Sequence, residues 1–195
     1  MGENIIVFDI ETKQTFDEVG GRDGLTKLGI SVVGVYDYKT GKYGMFEESD
    51  LPKLAERLSE KPLLVGFNSR RFDVPILQTY ISFDITKFLQ LDIMEEIVKE
   101  LNHRVSLDSV AQATLGIGKS GSGLDAIKYY REGRIDELKK YCMNDVKITR
   151  EVYEYGSKNS ELFYTSKFGG GKARVKVSWK IENPAEKGNM QQSLF

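Results

Sequence analysis

Cysteine, histidine and tryptophan each occur once in the 195 residues, as Cys142, His103 and Trp179. A lone cysteine allows no internal disulfide, which fits a reducing compartment and sets the expectation of a cytoplasmic protein. Cys142 has no partner motif that would make it a nucleophile, so it reads as a small filler in a helix. Long apolar runs are missing too: nothing approaches the ~20 consecutive residues of a membrane-spanning helix. The apolar stretch at residues 5–10 is too short for a secretory leader and carries Asp9. Nor is there an excess of one charge. The formal net charge of −1 gives no basic surplus for gripping nucleic acid along its length. The distribution is uneven, because residues 1–165 carry 22 Lys/Arg against 27 Asp/Glu and residues 166–195 six against two. The overall balance therefore decides little.

What is present suffices for one domain with a short appendage. Hydrophobic residues make up 40%, enough for a core, and charged residues 29%, enough for a soluble surface. Residues 4–9, 29–38 and 42–47 read as strands, with Thr40-Gly41 as the tight turn between the last two. Residues 51–59 set Leu51, Leu54, Ala55 and Leu58 at helical spacing, behind Ser49 and Asp50 as N-cap candidates and with Pro52 in the first turn. Residues 63–66 read as a short buried strand, 72–80 as a helix and 89–91 as a fifth strand ending at Asp92. Helical patterns follow at 93–101, 106–115, 124–132 and 135–155. Strands first, then a crossover helix, a strand and further helices predict a three-layer α/β fold.

After Phe168 the character changes. Gly169-Gly170-Gly171 reads as a hinge, and residues 174–180 alternate basic and apolar. Val175, Val177 and Trp179 are expected to face protein while Arg174, Lys176 and Lys180 face outward. Such a strand either adds to a sheet edge, its lysines discouraging aggregation, or presents a basic face to nucleic acid. From Asn183 onward the chain reads as a flexible tail.

Four carboxylates and a phenol carry the chemistry. Asp9 and Glu11 stand at the end of the apolar run Ile5-Ile6-Val7-Phe8 and, two apart on a strand, share one face. Tyr141 and Asp145, four apart in a helical stretch, also share a face. Asp73 lies between these pairs in sequence. Core folding does not call for two carboxylates at the tip of a buried strand. Hard cations such as Mg²⁺ and Mn²⁺ do call for clustered oxygen ligands. The plain alternative is surface acids and one packed tyrosine.

These fragments resemble the motifs of the DEDD 3′–5′ exonucleases of the ribonuclease H-like superfamily, tyrosine (DEDDy) subgroup. Asp9-Ile10-Glu11 matches the first motif, Gly66-Phe67-Asn68-Ser69-Arg70-Arg71-Phe72-Asp73 the second, and Tyr141-Cys142-Met143-Asn144-Asp145 the third. The histidine subgroup would need its histidine where Lys140 stands, and His103 is far from there. The resemblance spans roughly residues 4–157. It implies a ribonuclease H-like three-layer fold over residues 1–166, with a mixed five-stranded sheet flanked by helices, and residues 167–195 as an edge strand and tail. It further implies two divalent ions, Mg²⁺ or Mn²⁺: Asp9 would bridge them, Glu11 and Asp145 would complete one site, and Asp73 would support the other. Tyr141 would orient the attacking water, since a phenol of pKa near ~10 suits positioning better than proton abstraction.

Around that set, Asn68 could hold Asp73 or substrate or simply form a turn, and Arg70 and Arg71 could touch phosphates or be solvated. Phe67 or Phe72 could wedge against a terminal base or pack in the core. Asp92 is not counted as a ligand. Gly116-Ile117-Gly118-Lys119-Ser120-Gly121 satisfies a dinucleotide-binding pattern but follows a helix rather than a strand, and the glycine a P-loop would need is replaced by Ala113. It reads as a flexible loop.

The end of the chain, Gln191-Gln192-Ser193-Leu194-Phe195, resembles the bacterial sliding-clamp-binding pentapeptide, with Gln192 where leucine is usual. That resemblance implies that Gln191, Leu194 and Phe195 bind a clamp, and it favours DNA repair or replication over RNA. The expected function is therefore a 3′–5′ exonuclease on DNA. An RNA-trimming exonuclease and a clamp-bound adaptor with a vestigial nuclease site are the alternatives.

Overall fold

A computed structural model describes residues 3–118, 121–166 and 171–179. The Gly169-Gly170 part of the expected hinge, Lys119, Ser120, Lys180 and the clamp-like residues Gln191, Leu194 and Phe195 lie outside the described residues.

Five strands form one mixed sheet: β1 (Ile5–Thr12), β2 (Ile30–Asp37), β3 (Lys42–Glu47), β4 (Leu63–Gly66) and β5 (Gln90–Asp92), in the order β3-β2-β1-β4-β5. The first three run antiparallel, while β4 and β5 run parallel to β1. The helices are α1 (Leu51–Leu58), α2 (Asp73–Gln78), α3 (Ile93–Leu101), α4 (Leu107–Leu115), α5 (Gly123–Arg131) and α6 (Ile135–Asn159). Alternation along β1 sorts its side chains into two cores. Ile6, Phe8 and Ile10 pack with Leu51, Leu54 and Leu58 of α1 and Ile76 and Leu77 of α2. Ile5 and Val7 pack with Ile97 of α3, Val110 of α4 and Val146 and Val152 of α6. This is the three-layer, ribonuclease H-like α/β arrangement expected from the sequence.

Caps mark several boundaries. Asp92 accepts the Met94 amide at 3.1 Å to open α3, Ser106 accepts the Ser109 amide at 3.1 Å to open α4, and Ser122 with Asp125 forms a capping box on α5. At α1, Asp50 holds the N-cap position without a capping bond and pairs with Lys53 at 2.7 Å instead.

Some elements differ from expectation, and β1 runs on to Thr12 rather than ending at Asp9. Helix α6 runs on to Asn159, where Ser160 ends it in a left-handed conformation at φ +55°. Directly after it, β6 (Glu161–Thr165) pairs antiparallel with β7 (Lys172–Lys176) in a separate two-stranded sheet. The period-two reading of residues 174–179 holds, with Val175 and Val177 buried and Arg174 and Lys176 exposed. The strand, however, does not extend the edge of the five-stranded sheet. Its partner was missed because Glu161-Leu162-Phe163-Tyr164-Thr165 is a short apolar run that only a facing strand turns into a sheet. Leu162 and Val175 both enter the core beside α4 and α6.

Candidate active site

Strand β1 outruns its parallel neighbour. The β1–β4 ladder ends at Val7↔Val65, while β1 continues along β2 to Thr12. Beyond that last pair the Ile10 amide donates to Asp73 Oδ1 at 3.0 Å, so the first residue of α2 is pinned between the two acidic positions of β1. Asp9 and Glu11 follow Ile5 and Val7 on the face covered by α6. There, Tyr141 and Asp145 project from one side of α6. Asp9, Glu11, Asp73, Tyr141 and Asp145 all line a single cleft of about 390 Å³ at the carboxyl ends of β1 and β4, the edge where parallel strands present ligands.

Close approach of α6 depends on Gly34, which stands opposite Asp9 in the β1–β2 register. A Cβ at that position would lie 2.8 Å from Val146 Cγ2 and 3.0 Å from Cys142 Sγ. Cys142 is fully buried behind the acids, its thiol 3.6 Å from the Asp9 carbonyl oxygen. Burial pushes that thiol well above its ordinary pKa, and the charges of Asp9 and Glu11 add to the effect. The sequence reading of Cys142 as a filler is right about its packing but missed its place at the acids. One carboxylate oxygen each of Asp9 and Glu11 and the Cys142 sulfur lie within 4.8 Å of one another.

The donor set suits a divalent cation. Glu11, Asp73 and Asp145 are 7%, 4% and 2% exposed, and the described residues lining the cleft include no lysine, arginine or histidine. Burial, with the Asp92 charge second, pushes the Asp73 carboxyl up to about 7. Gathered carboxylates withdrawn from water are costly, and a bound ion would compensate them. Four carboxylates offer the oxygen ligands that Mg²⁺ and Mn²⁺ take.

The neighbouring positions divide. Asn68 lines the cleft and takes a left-handed conformation at φ +67°. Its amide donates to Asp92 Oδ1 at 2.8 Å, and the Arg70 amide donates to Asp92 Oδ2 at 3.0 Å. Asp92 thus holds the loop after β4 as well as capping α3, which is a structural task. The Arg70 guanidinium turns away, donating to the Gln90 carbonyl oxygen at 2.6 Å and pairing with Glu95 at 3.4 Å. Arg71 lies in an adjoining depression rather than in the cleft. Phe67 and Phe72 line the cleft and also pack on the two cores.

Sequence reasoning did not single out Phe16 or Leu124, which also line the cleft and are 37% and 69% exposed. An apolar residue just after the Ser122 cap was the available signal for Leu124. Gly121 sits so close to Tyr141 that a Cβ would be 3.2 Å from its ring. The glycine-rich stretch that mimics a phosphate loop therefore packs, at Gly121, against the phenol.

A family model described as the RNase_H superfamily matches residues 6–157. No curated protein matches the chain. Among solved structures, the chain is similar to that described as "The crystal structure of Trypanosoma brucei RNase D", with a TM-score of 0.58 and 19% identity. The likeness covers 81% of this chain and 59% of that one, and at that identity it is a likeness of fold.

Proposed function

The chain belongs to the RNase_H superfamily, and from that premise we propose that it is a metal-dependent 3′–5′ exonuclease of the DEDDy kind. The observation that carries this reading is the convergence of Asp9, Glu11, Asp73, Tyr141 and Asp145 on one cleft. Asp9, Glu11, Asp73 and Asp145 would hold the ions, two of them by resemblance. When bound, divalent ions supply Lewis-acid charge and lower the pKa of water. The chain's own groups orient the reactants. The Tyr141 hydroxyl positions the attacking water in line with the scissile bond, and the Ile10 amide fixes the Asp73 carboxylate. Phe67, Phe72 and Leu124 offer apolar walls for the terminal base.

Two polymers compete as substrate. The clamp-like Gln191, Leu194 and Phe195 favour DNA, and they would bind a sliding clamp in the same reading. The fold likeness to a protein described as an RNase D favours RNA. Incubation with 5′-labelled single-stranded DNA and RNA, in Mg²⁺, Mn²⁺ or EDTA, decides both questions. We expect a ladder shortening from the 3′ end that is lost in EDTA and in Asp9→Ala, with the faster polymer naming the substrate. Cleavage of neither polymer, or cleavage indifferent to Asp9, would remove the proposal.

A further inference from the structure

Next to the acidic cleft lies a second depression, of about 310 Å³, lined by Arg22, Arg71 and Arg104 together with Phe16, Asn68 and Phe72. The last three residues also line the cleft, so the two concavities share a wall. Their charges are opposite. Among the described residues, four carboxylates line the cleft, whereas three arginines and no acid line the second depression. The arginines come from three remote segments: the 3₁₀ segment Arg22–Lys27, the loop before α2 and the loop after α3. Their positive charge is little compensated. Arg104 donates to Asn68 Oδ1 at 2.5 Å and to Met94 Sδ at 3.4 Å, both neutral partners. Arg71 reaches Glu95 only at 3.6 Å, with its side chain 73% exposed, and Arg22 forms no ion pair among the described residues. Phe16 meets Phe72 edge-on at 5.9 Å and leaves part of its ring open to solvent.

We propose that this arginine-lined depression holds the strand upstream of the cleft: the phosphates of the nucleotides 5′ to the terminal one, with a base against Phe16. The identification of the terminal nucleotide's place rests on the exonuclease reading. A polyanion meets repulsion at an acidic cleft, so its grip has to come from beside that cleft. Guanidinium groups bind phosphate oxygens in pairs, and an exposed aromatic ring stacks bases without regard to sequence. Arg104, bonded to Asn68 at the boundary of the two concavities, links the grip on the strand to the wall of the cleft.

The test measures binding, with no turnover needed. Full-length Asp9→Ala protein in EDTA is titrated with a labelled thymidine dinucleotide and hexanucleotide and with their uridine RNA counterparts. The hexanucleotide is expected to bind at least about tenfold tighter than the dinucleotide. Adding Arg22→Ala and Arg104→Ala should erase that advantage and lower the salt dependence of hexanucleotide binding by about 0.7 for each phosphate no longer neutralised. Arg71→Ala alone, at a side chain too exposed to matter for folding, should remove part of the advantage. An advantage kept in all the arginine variants would overturn the proposal. So would an equal loss in Lys172→Ala/Lys176→Ala, which removes exposed charge from the β6–β7 hairpin instead. Arginine-dependent binding without cleavage of either polymer by the unmutated protein would sink the exonuclease reading alone. Cleavage without arginine dependence would sink this one alone.

Discussion

Gly34 shows how much one missing side chain does for the site. It allows α6 to lie against bare backbone opposite Asp9, and α6 carries Tyr141 and Asp145. Gly34→Ala would put a methyl group 2.8 Å from Val146 Cγ2, so either that side chain or α6 must shift. We expect a loss of about 1–3 kcal/mol of stability together with slower hydrolysis, read from unfolding midpoints and from turnover at saturating metal. Unchanged values of both would mean that the helix has room to spare. A glycine within Ile30-Ser31-Val32-Val33-Gly34-Val35-Tyr36 is a legible sign of a close approach. Its partner is not legible, because α6 lies more than a hundred residues away in sequence.

At the scale of elements, the end of β2 is tied to α1 by Arg57, which donates to both oxygens of Asp37 at 2.8 and 2.9 Å. The guanidinium holds the Asp37 carboxyl below the usual carboxylate range. A lowered folded-state pKa means that the pair's contribution is complete above the unfolded value near ~3.9 and is lost as pH falls through the lowered one. Asp37→Asn should therefore cost about 2 kcal/mol at neutral pH and flatten the acid limb of stability against pH. Urea unfolding from neutral to strongly acid pH measures this, and parallel curves for the two proteins would count against the pair. The stretch after β7 has its own marker in Trp179, whose indole donates to the Tyr153 carbonyl oxygen at 3.1 Å. Its ring covers Gly156 so closely that a Cβ there would lie 2.1 Å from Cζ2. Gly156→Ala should expel the ring, shifting the fluorescence of the only tryptophan to the red. Unshifted emission would show that Trp179 docks elsewhere.

For the whole molecule, the acidic cleft sets stability against function. Withdrawing carboxylates from water costs folding energy, which a bound cation offsets. Mn²⁺ or Mg²⁺ at about a hundredfold excess over its dissociation constant should stabilise the protein by ~2.7 kcal/mol. Thermal unfolding would show a raised midpoint, reversed by EDTA and weakened in Asp9→Ala. A midpoint indifferent to either ion would argue against metal at these residues. In the proposed reading, the arginine-lined depression next to the cleft would hold the strand while the cleft acts on its end.

Most of the elements, and the five residues that meet at the cleft, were legible in the order of residues. Hydrophobic periodicity and turn residues act over a few neighbours, and the motif residues are spaced by one strand or one helical turn. Packing between distant segments set the rest: the pairing of β6 with β7, the engagement of Arg70 by Gln90 and Glu95, and the meeting of Arg22, Arg71 and Arg104. No local pattern encodes those outcomes, because each depends on which remote parts of the chain come together. A charged side chain acquires a role only from the groups that folding places within its reach.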